Sequence, residues 1–345
     1  MPKTRQNEIL NFIKDHANCS SSEVHKNFAA FISYSTVKRI LSQLLTDQYI
    51  ISEGKGKGTR YFISQSYELL YPIDIDSYYE KEIDERKIKE EFNSNIFELL
   101  DKSEILSVTE LSKLADLQNE FSKNILQLSD FEYKKELERL AIDLSWKSSQ
   151  IEGNTYSLLE TERLLKDKET AAGKTKEEAI MLLNHKDAID FIVENPDYLT
   201  PLTISKIEDI HSILVKELAV EKNIRKHRVG ISGTNFRPLN NEFQIREALE
   251  SACKLVNKKE NTFEKALLIL VLISYIQPFM DGNKRTARIV SNAILMNFKH
   301  CPISFRTVDS VDYKKAMLLF YEQNNISRLK EIFINQFEFA VKTYF

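Results

Sequence analysis

The sequence has few residues that interrupt helices and few that cross-link a chain. Only 8 Gly and 7 Pro occur among 345 residues, which predicts long helices and argues against a β-sandwich with many tight turns. The three cysteines, Cys19, Cys253 and Cys301, are widely separated and odd in number. Their spacing indicates neither a disulfide framework nor a zinc site.

The chain also lacks a long apolar segment and an excess of either charge. The longest apolar stretch, Ala266 to Ile276, is interrupted only by Ser274, and it is too short to cross a bilayer. Lys and Arg total 48 and Asp and Glu total 51, a net charge of -3, which excludes a generally polybasic protein. No charged and then apolar leader opens the sequence, so we expect a cytoplasmic protein.

Residues 1–66 are predicted to form a small domain. Apolar residues at helical spacing indicate three short helices, and either Ser33 or Ser35 is expected to cap the third. Two β-prone segments follow at 49–52 and 61–64, joined by a turn rich in Gly and Lys. Three helices followed by such a hairpin resemble a winged helix-turn-helix, in which the third helix enters the major groove and the hairpin is the wing.

The charge of this segment favours DNA as a partner. Residues 1–65 contain nine Lys or Arg and five Asp or Glu, a net charge of +4 on an otherwise acidic chain. We expect Lys38 and Arg39 on the third helix, with Lys55 and Lys57 in the wing, to contact phosphates of double-stranded DNA. A winged helix that contacts only protein is the alternative.

The rest of the chain is predicted to be mainly α. Residues 67–130 are expected to hold an acidic, aromatic connector without chemistry of its own, followed by the first helices of a second domain, and 131–345 its core. The one exception to helical spacing is 226–239, where apolar residues alternate and Gly230 and Gly233 occur. This pattern predicts a β-hairpin inserted among helices.

The most informative segment is 277–288, which reads Gln-Pro-Phe-Met-Asp-Gly-Asn-Lys-Arg-Thr-Ala-Arg. It leads from one predicted helix into the start of the next, where backbone N–H groups form an anion-binding nest. Arg285 and Arg288 are three residues apart and face the same anion, and the Asp281 carboxylate can hold Mg²⁺ beside a phosphate. The segment therefore predicts a loop for a nucleoside di- or triphosphate. An ordinary capped helix with solvated arginines is the alternative.

This segment resembles the signature loop of the Fic (Fido) family, His-Pro-Phe-x-Asp/Glu-Gly-Asn-Gly-Arg-x-x-Arg. Most members transfer AMP from Mg-ATP to a Ser, Thr or Tyr hydroxyl of a target protein. The resemblance implies a helical Fic bundle with a β-hairpin flap, ATP and Mg²⁺ as cofactors, and Asp281 as the metal ligand. Asn283 and Arg285 would contact the α- and β-phosphates, and Arg288 the γ-phosphate. The nucleotide-binding residues that it implies are Gly282, Asn283, Lys284, Arg285 and Arg288.

Residues 148–153 resemble the inhibitory motif of the same family. Its fixed members here are Ser148, Glu152 and Gly153, and its position upstream of the core is that of class II Fic proteins. In the family this glutamate pairs with the second loop arginine, here Arg288, and blocks the γ-phosphate. A carboxylate on that guanidinium competes with phosphate for one bidentate fork. The alternative is that Glu152 has no inhibitory role and only precedes a glycine at which the helix ends.

The predicted hairpin resembles the family's flap, which clamps a target peptide by main-chain pairing. The clamping residues implied are Val229, Gly230, Ile231 and Ser232. The implied partner is a protein with a hydroxyl group, which includes this chain itself, and the sequence leaves a homo-oligomer open. A surface hairpin without this function is the alternative.

Two residues depart from the family's loop. Gln277 occupies the position of the catalytic histidine, and a neutral amide cannot take the proton of the attacking hydroxyl, a step typically worth about 10²–10⁴-fold. His227, His300 and Asp309 are the candidates for a replacement base. Lys284 replaces a glycine, and Asn-Lys-Arg resembles the Doc branch, in which the γ-phosphate is transferred.

Three functional hypotheses result from these residues. The first is a Mg-ATP-binding protein adenylyltransferase that Glu152 autoinhibits and in which Gln277 impairs transfer. The second is a DNA-binding transcriptional regulator with a nucleotide-sensing, catalytically silent Fic-like domain. The third is a Doc-like protein kinase.

Overall fold

The structure is a computed structural model that describes residues 2–345. Met1, with which the predicted first domain begins, and the side chain of Lys3, one of its charges, lie outside the described residues. No helix within 2–345 is long and apolar enough to span a membrane.

The N-terminal segment forms three helices and a two-stranded antiparallel sheet. The elements are α1 (Pro2–Asp15), α2 (Ser21–Phe28), α3 (Tyr34–Thr46), β1 (Ile50–Glu53) and β2 (Arg60–Ile63). Ser33 caps α3 by accepting a hydrogen bond from the Thr36 N–H at 3.2 Å, which decides between the two predicted caps. Ile9, Val37 and Leu41 belong to a hydrophobic core of this segment's own. The predicted winged-helix fold is confirmed.

The remainder is helical and encloses a second, larger core. Short helices α4 (Tyr67–Leu70) and α5 (Ile75–Tyr79) lead into it. The other helices are α6 (Ile96–Lys102), α7 (Val108–Ile125), α8 (Asp130–Ile151), α9 (Leu158–Asp167), α10 (Lys176–Glu194), α11 (Ile204–Leu214), α12 (Glu242–Lys258), α13 (Thr262–Ile276), α14 (Asn283–Asn297), α15 (Ser310–Gln323) and α16 (Ser327–Tyr344).

Helix α13 forms the centre of this core. Every residue from Ala266 to Ile276 is buried, as expected for a helix that is apolar all round. Helix α14 runs back along it, and the Ser291 hydroxyl donates to the Ala266 carbonyl at 2.8 Å. The loop at 277–282 connects the two helices, so two buried helices of the central core support it.

The predicted β-hairpin at 226–239 is not formed. In the described part of the chain the only sheet pairs β1 with β2. This segment, called here the flap loop, turns at Ser232 and Gly233 and does not pair with itself. Arg225 lies between its ends. The buried guanidinium donates to the carbonyl oxygen of His227 at 2.9 Å and to that of Leu239. Arg225 therefore satisfies backbone carbonyls at both ends of the loop, and these carbonyls need no partner strand.

The second half of the flap loop pairs instead with the connector. The Arg237 N–H donates to the Glu90 carbonyl at 2.7 Å, and Arg86 donates to the Gly233 carbonyl at 2.9 Å. Arg86 also forms an ion pair with Glu322 of α15 at 3.0 Å, with 3% and 0% of the two side chains exposed. The connector, to which the sequence assigned no chemistry, is therefore fixed in the core and supports the flap loop.

Candidate functional site

The loop between α13 and α14 depends on two residues in the left-handed region. Gln277 ends α13 with φ of 52°, and Gly282 begins α14 with φ of 80°. The positive φ is what favours glycine at position 282, since a Cβ there would lie in ordinary contact, 3.4 Å from the His211 ring. The His211 ring stacks on Phe279, with centroids 3.7 Å apart, and lies 3.0 Å from the Asp281 carbonyl. His211 thus contacts the loop through both the Phe279 ring and the Asp281 backbone.

Asn283 closes the loop into a ring of hydrogen bonds. Its Oδ1 accepts from the Phe279 N–H at 2.8 Å, and its Nδ2 donates to the Phe279 carbonyl at 2.8 Å and to Gln277 Oε1 at 3.0 Å. The side chain is buried. In this state its polar groups brace the loop, whereas the sequence predicted that they contact phosphate.

The Gln277 side chain is also bound within the protein. Its Nε2 donates to the Ser274 carbonyl at 2.6 Å and lies 3.4 Å from the Tyr321 hydroxyl. Its Oε1 accepts from Asn283, and its main-chain carbonyl accepts from Arg225 Nε at 2.7 Å. An amide has no basic nitrogen, so this residue orients its neighbours and takes no proton.

Arg285 is buried beside an exposed carboxylate. Its Nη2 lies 2.9 Å from Asp281 Oδ2, with 1% and 63% of the two side chains exposed. Its Nε and Nη1 have no hydrogen-bond partner among residues 2–345. Burial lowers the pKa of Arg285, while Asp281 opposes that shift. Buried N–H groups without a partner are costly, and a phosphate oxygen would satisfy them.

Asp281 fits Mg²⁺ held jointly with a nucleotide. No group of three or more His, Cys, Asp or Glu that could hold a metal is present between residues 2 and 345. Mg²⁺ usually takes one or two carboxylates and completes its shell with phosphate oxygens and water. One exposed carboxylate next to Arg285, which the sequence predicts to bind phosphate, meets that requirement.

Arg288 is held by the segment that resembles the inhibitory motif. Its Nε donates to the Ser148 hydroxyl at 2.8 Å, and its Nη2 donates to the Ser148 carbonyl at 3.0 Å and to Glu152 Oε1 at 2.8 Å. The guanidinium is fully buried. Glu152 is the C-cap of α8, and Gly153 follows with φ of 104°, a conformation that favours glycine.

Electrostatics keep Glu152 ionised in this position. Burial by itself raises the pKa of a carboxyl group, but Arg288 and then Lys284 outweigh it, and the pKa of Glu152 lies below its ordinary value. Lys284 Nζ lies 3.4 Å from Glu152 Oε2. The structure thus places the predicted inhibitory glutamate on the predicted γ-phosphate arginine.

One cavity of about 320 Å³ brings many of the predicted residues together. Glu152, Gln277 and Lys284 line it on one side, and Gly230, Ile231 and Ser232 of the flap loop on another. Val229 of the predicted clamp is not among its lining residues and borders a different cavity. Helix α15 closes the cavity with Lys314, Met317, Leu318 and Tyr321.

None of the three candidate replacement bases borders this cavity. His227 is exposed on the flap loop. His300 lies beyond the end of α14, with Nδ1 2.8 Å from the Phe298 carbonyl. Asp309 caps α15 by accepting from the Val311 N–H at 2.8 Å, and this and a neighbouring backbone hydrogen bond lower its pKa. None of the three predicted candidates therefore lies where it could replace the missing histidine.

The winged helix presents its predicted DNA contacts to solvent. Lys38 and Arg39 are exposed on α3, and Lys55 and Lys57 are exposed in the turn between β1 and β2. The turn requires glycine at position 54, where φ is 83° and a Cβ would lie 2.6 Å from a carbonyl oxygen across the turn. The basic groups of the wing are thus presented on a tightly folded turn.

Two sequence comparisons agree with this geometry. Residues 201–295, which include α13, the loop and most of α14, match the profile of the Fic/DOC family. The chain carries a Fic/DOC-family domain. Residues 4–120 match the profile of the penicillinase repressor family, so the Fic domain follows a repressor-type winged helix, as the sequence predicted. The region that resembles the inhibitory motif lies outside both matches.

Known relatives extend the match beyond the loop. The Fic domain is similar to that of the protein adenylyltransferase Fic of Nematostella vectensis, with 27% identity over 184 residues. That alignment covers 49% of this chain and 40% of the relative, so the chain spans well under half of the relative's length.

Solved structures share the fold of the Fic domain. A fragment of Fic-1 from C. elegans has a TM-score of 0.61 at 17% identity, over 68% of this chain and 72% of that chain. A Fic-domain signalling protein from Bacteroides thetaiotaomicron has a TM-score of 0.56 at 20% identity, over 67% and 96% of the two chains. At such identities the likeness shows the fold alone, and the predicted mainly α Fic bundle is confirmed.

Proposed function

We propose that this protein binds Mg-ATP in its Fic domain, that Glu152 holds the site closed, and that Gln277 slows AMP transfer to a protein hydroxyl. The contact that carries this proposal is the 2.8 Å ion pair between Glu152 and the fully buried Arg288. The carboxylate occupies Nη2 of the guanidinium on which a γ-phosphate would compete with it.

Support for the nucleotide comes from buried guanidinium N–H groups that lack hydrogen-bond partners. Nη1 of Arg288 and both Nε and Nη1 of Arg285 have no hydrogen-bond partner in the described residues. Both side chains belong to the first turns of α14, where the helix dipole also favours an anion. When bound, Mg²⁺ at Asp281 would neutralise charge on the phosphates.

AMP transfer requires a proton acceptor, and the amide of Gln277 cannot be one. A hydroxyl oxygen of the target bonds to the α-phosphorus, the bond to the pyrophosphate oxygen breaks, and the hydroxyl proton must go to a base. Gln277 occupies that place with both ends of its amide already bonded. Phosphoryl-type transfer relies mostly on positioning and charge, so some turnover survives this substitution, and nucleotide binding needs no proton transfer.

Glu152→Gly is expected to tighten Mg-ATP binding by about tenfold or more. In wild type, the molecules in which Glu152 holds Arg288 cannot bind the γ-phosphate and so lower the apparent affinity, and the variant has no such molecules. Isothermal titration calorimetry of Mg-ATP into wild type and variant measures this. Glu162→Gln is the control, since Glu162 pairs with Lys166 on the exposed face of α9 and its loss leaves the affinity unchanged. Equal affinities of wild type and Glu152→Gly would contradict the inhibitory role.

We propose double-stranded DNA as the partner of the winged helix. Support comes from the exposed Lys38 and Arg39 on α3, the exposed lysines of the wing and the match to a repressor family. Nucleotide binding in the Fic domain would then regulate a DNA-bound protein.

Replacing Lys55 and Lys57 together by Ala is expected to weaken DNA binding and to reduce the salt slope by about two, one for each lost phosphate contact. Fluorescence anisotropy with duplex DNA at several salt concentrations gives the slope. Lys216→Ala with Lys254→Ala is the matched control, since both lysines are exposed outside the winged helix. An equal salt slope for wild type and the wing variant would show that the wing does not contact DNA phosphates.

A further inference from the structure

We infer that Lys284 exchanges partners when a nucleotide binds: it holds Glu152 in the closed site and a phosphate oxygen of Mg-ATP in the open one. This inference rests on the proposed function and adds to it a change of partner at Lys284, which contacts the inhibitory glutamate in the closed site. The usual Fic loop has glycine at this position, so only loops that carry lysine here can form this contact.

The first step is the double contact on Glu152. Oε1 lies 2.8 Å from Arg288 Nη2 and Oε2 lies 3.4 Å from Lys284 Nζ. The two carboxylate oxygens therefore bridge two cations from the same helix. Lys284 and Glu152 have side chains 22% and 20% exposed, so this pair is much less solvated than the surface pairs that contribute little.

The second step is the spacing along α14. Lys284 and Arg288 are four residues apart and so lie on the same face of the helix. Two like charges at this spacing repel each other, and both lie in the first turns, where the helix dipole adds positive potential. An anion between them removes this repulsion. In the closed state that anion is Glu152, and any group that displaces it must supply negative charge to both residues.

The third step is the position of Lys284 in the cavity. It lines the same space as Gln277, Tyr321 and Lys314, and Arg285 follows it in sequence. Among residues 2–345, Glu152 is the one carboxylate within 4.0 Å of its ammonium group. Once Glu152 leaves, Lys284 faces the space between the loop and α15, where a nucleoside triphosphate on Arg285 and Arg288 would extend.

The two partners give Lys284 opposite effects on ATP affinity. Its contact with Glu152 stabilises the closed site and lowers the affinity, whereas its contact with phosphate raises it. Removing the lysine therefore has a small net effect when Glu152 is present and a clear unfavourable one when Glu152 is gone. This dependence on the background is absent for a residue that only supports the fold.

The test is a double-mutant cycle of Lys284→Gln and Glu152→Gly, with Mg-ATP titrated by calorimetry. We expect Lys284→Gln to weaken binding by about threefold to tenfold in the Glu152→Gly protein and by less than about twofold, or to tighten it, in wild type. Lys284→Arg keeps the charge and retains most of the affinity in the Glu152→Gly protein. Thermal midpoints close to the parent protein show that each variant is folded.

Lys314→Gln is the matched control. Lys314 lines the same cavity but forms no ion pair with Glu152 in the described structure, so its effect is the same in both backgrounds. Equal effects of Lys284→Gln in the two backgrounds overturn the inference while the proposed function stands. Failure of every variant to bind ATP overturns the proposed function and this inference with it.

Discussion

Gln277→His in the Glu152→Gly protein is expected to raise AMP transfer by about 10²–10⁴-fold over Glu152→Gly alone, the usual contribution of a general base. The side chain at this position borders the cavity next to the flap loop, and an imidazole there can take the proton of an entering hydroxyl. Glu152 must be removed first because it holds Arg288. Intact-mass spectrometry after incubation with Mg-ATP detects each transfer as a gain of about 329 Da.

Gln277→Met is the control for this experiment, because it removes the amide without adding a base and leaves the rate at the level of Glu152→Gly. A gain of about 80 Da would instead show transfer of phosphate. That result would favour the Doc-like kinase and a reversed nucleotide. No adduct on Glu152→Gly with Gln277→His, with ATP still bound and a hydroxyl-bearing target supplied, would contradict the account of the loop.

Arg86→Met is expected to destabilise the protein by about 3–5 kcal/mol, because it leaves the Glu322 carboxylate buried without its cation. Glu322 is 0% exposed and accepts from the Tyr78 hydroxyl at 2.7 Å, which cannot replace the charge of Arg86. The same change frees the Gly233 carbonyl of the flap loop. Urea unfolding followed by fluorescence measures the free energy of unfolding.

Lys315→Met provides the comparison for this ion pair. Lys315 pairs with Asp76 at 3.4 Å, and 80% of the aspartate side chain is exposed, so the loss is at most about 1 kcal/mol. Arg86→Met with Glu322→Leu together are expected to recover part of the stability, since neither charge is then buried alone. An Arg86→Met protein as stable as Lys315→Met would contradict the structural role of the pair.

The features that the sequence predicted well are those coded by short segments. The winged helix is built from local signals such as the Ser33 cap and the turn at Gly54. The loop at 277–282 was recognised from contiguous residues, and a second short motif indicated that Glu152 would meet Arg288, 136 residues away. A family motif can predict a contact between residues far apart in sequence, whereas the periodicity of apolar residues cannot.

The β-hairpin predicted at 226–239 is wrong because the conformation of the flap loop depends on partners that are distant in sequence. Alternation around Gly230 indicates a hairpin, but Arg225 and the connector satisfy the backbone in its place. The pair of Arg86 and Glu322 joins residues 236 apart in sequence, and no local pattern distinguishes these two from the many other charged residues. Nothing local distinguishes Tyr321 either, because its hydroxyl meets Gln277 only after α15 packs over the loop.

The contact of Lys284 with Glu152 could not be predicted either. The sequence showed a lysine in place of a glycine, and the resemblance implied nucleotide binding and a likeness to the Doc branch but no contact with Glu152. Its distance of 3.4 Å from the carboxylate follows from how α8 approaches the first turn of α14. Helix packing of this kind decides which of several nearby cations a buried carboxylate meets.

The most direct test of the central claim is to measure binding and transfer on the same Glu152→Gly sample. Equilibrium binding of Mg-ATP is followed by intact-mass analysis of the recovered protein, with a hydroxyl-bearing target protein included. The account predicts bound ATP and an AMP adduct that forms at least about 10²-fold more slowly than with Gln277→His added. Equally rapid AMP transfer with Gln277 in place, or no ATP binding once Glu152 is gone, would contradict it.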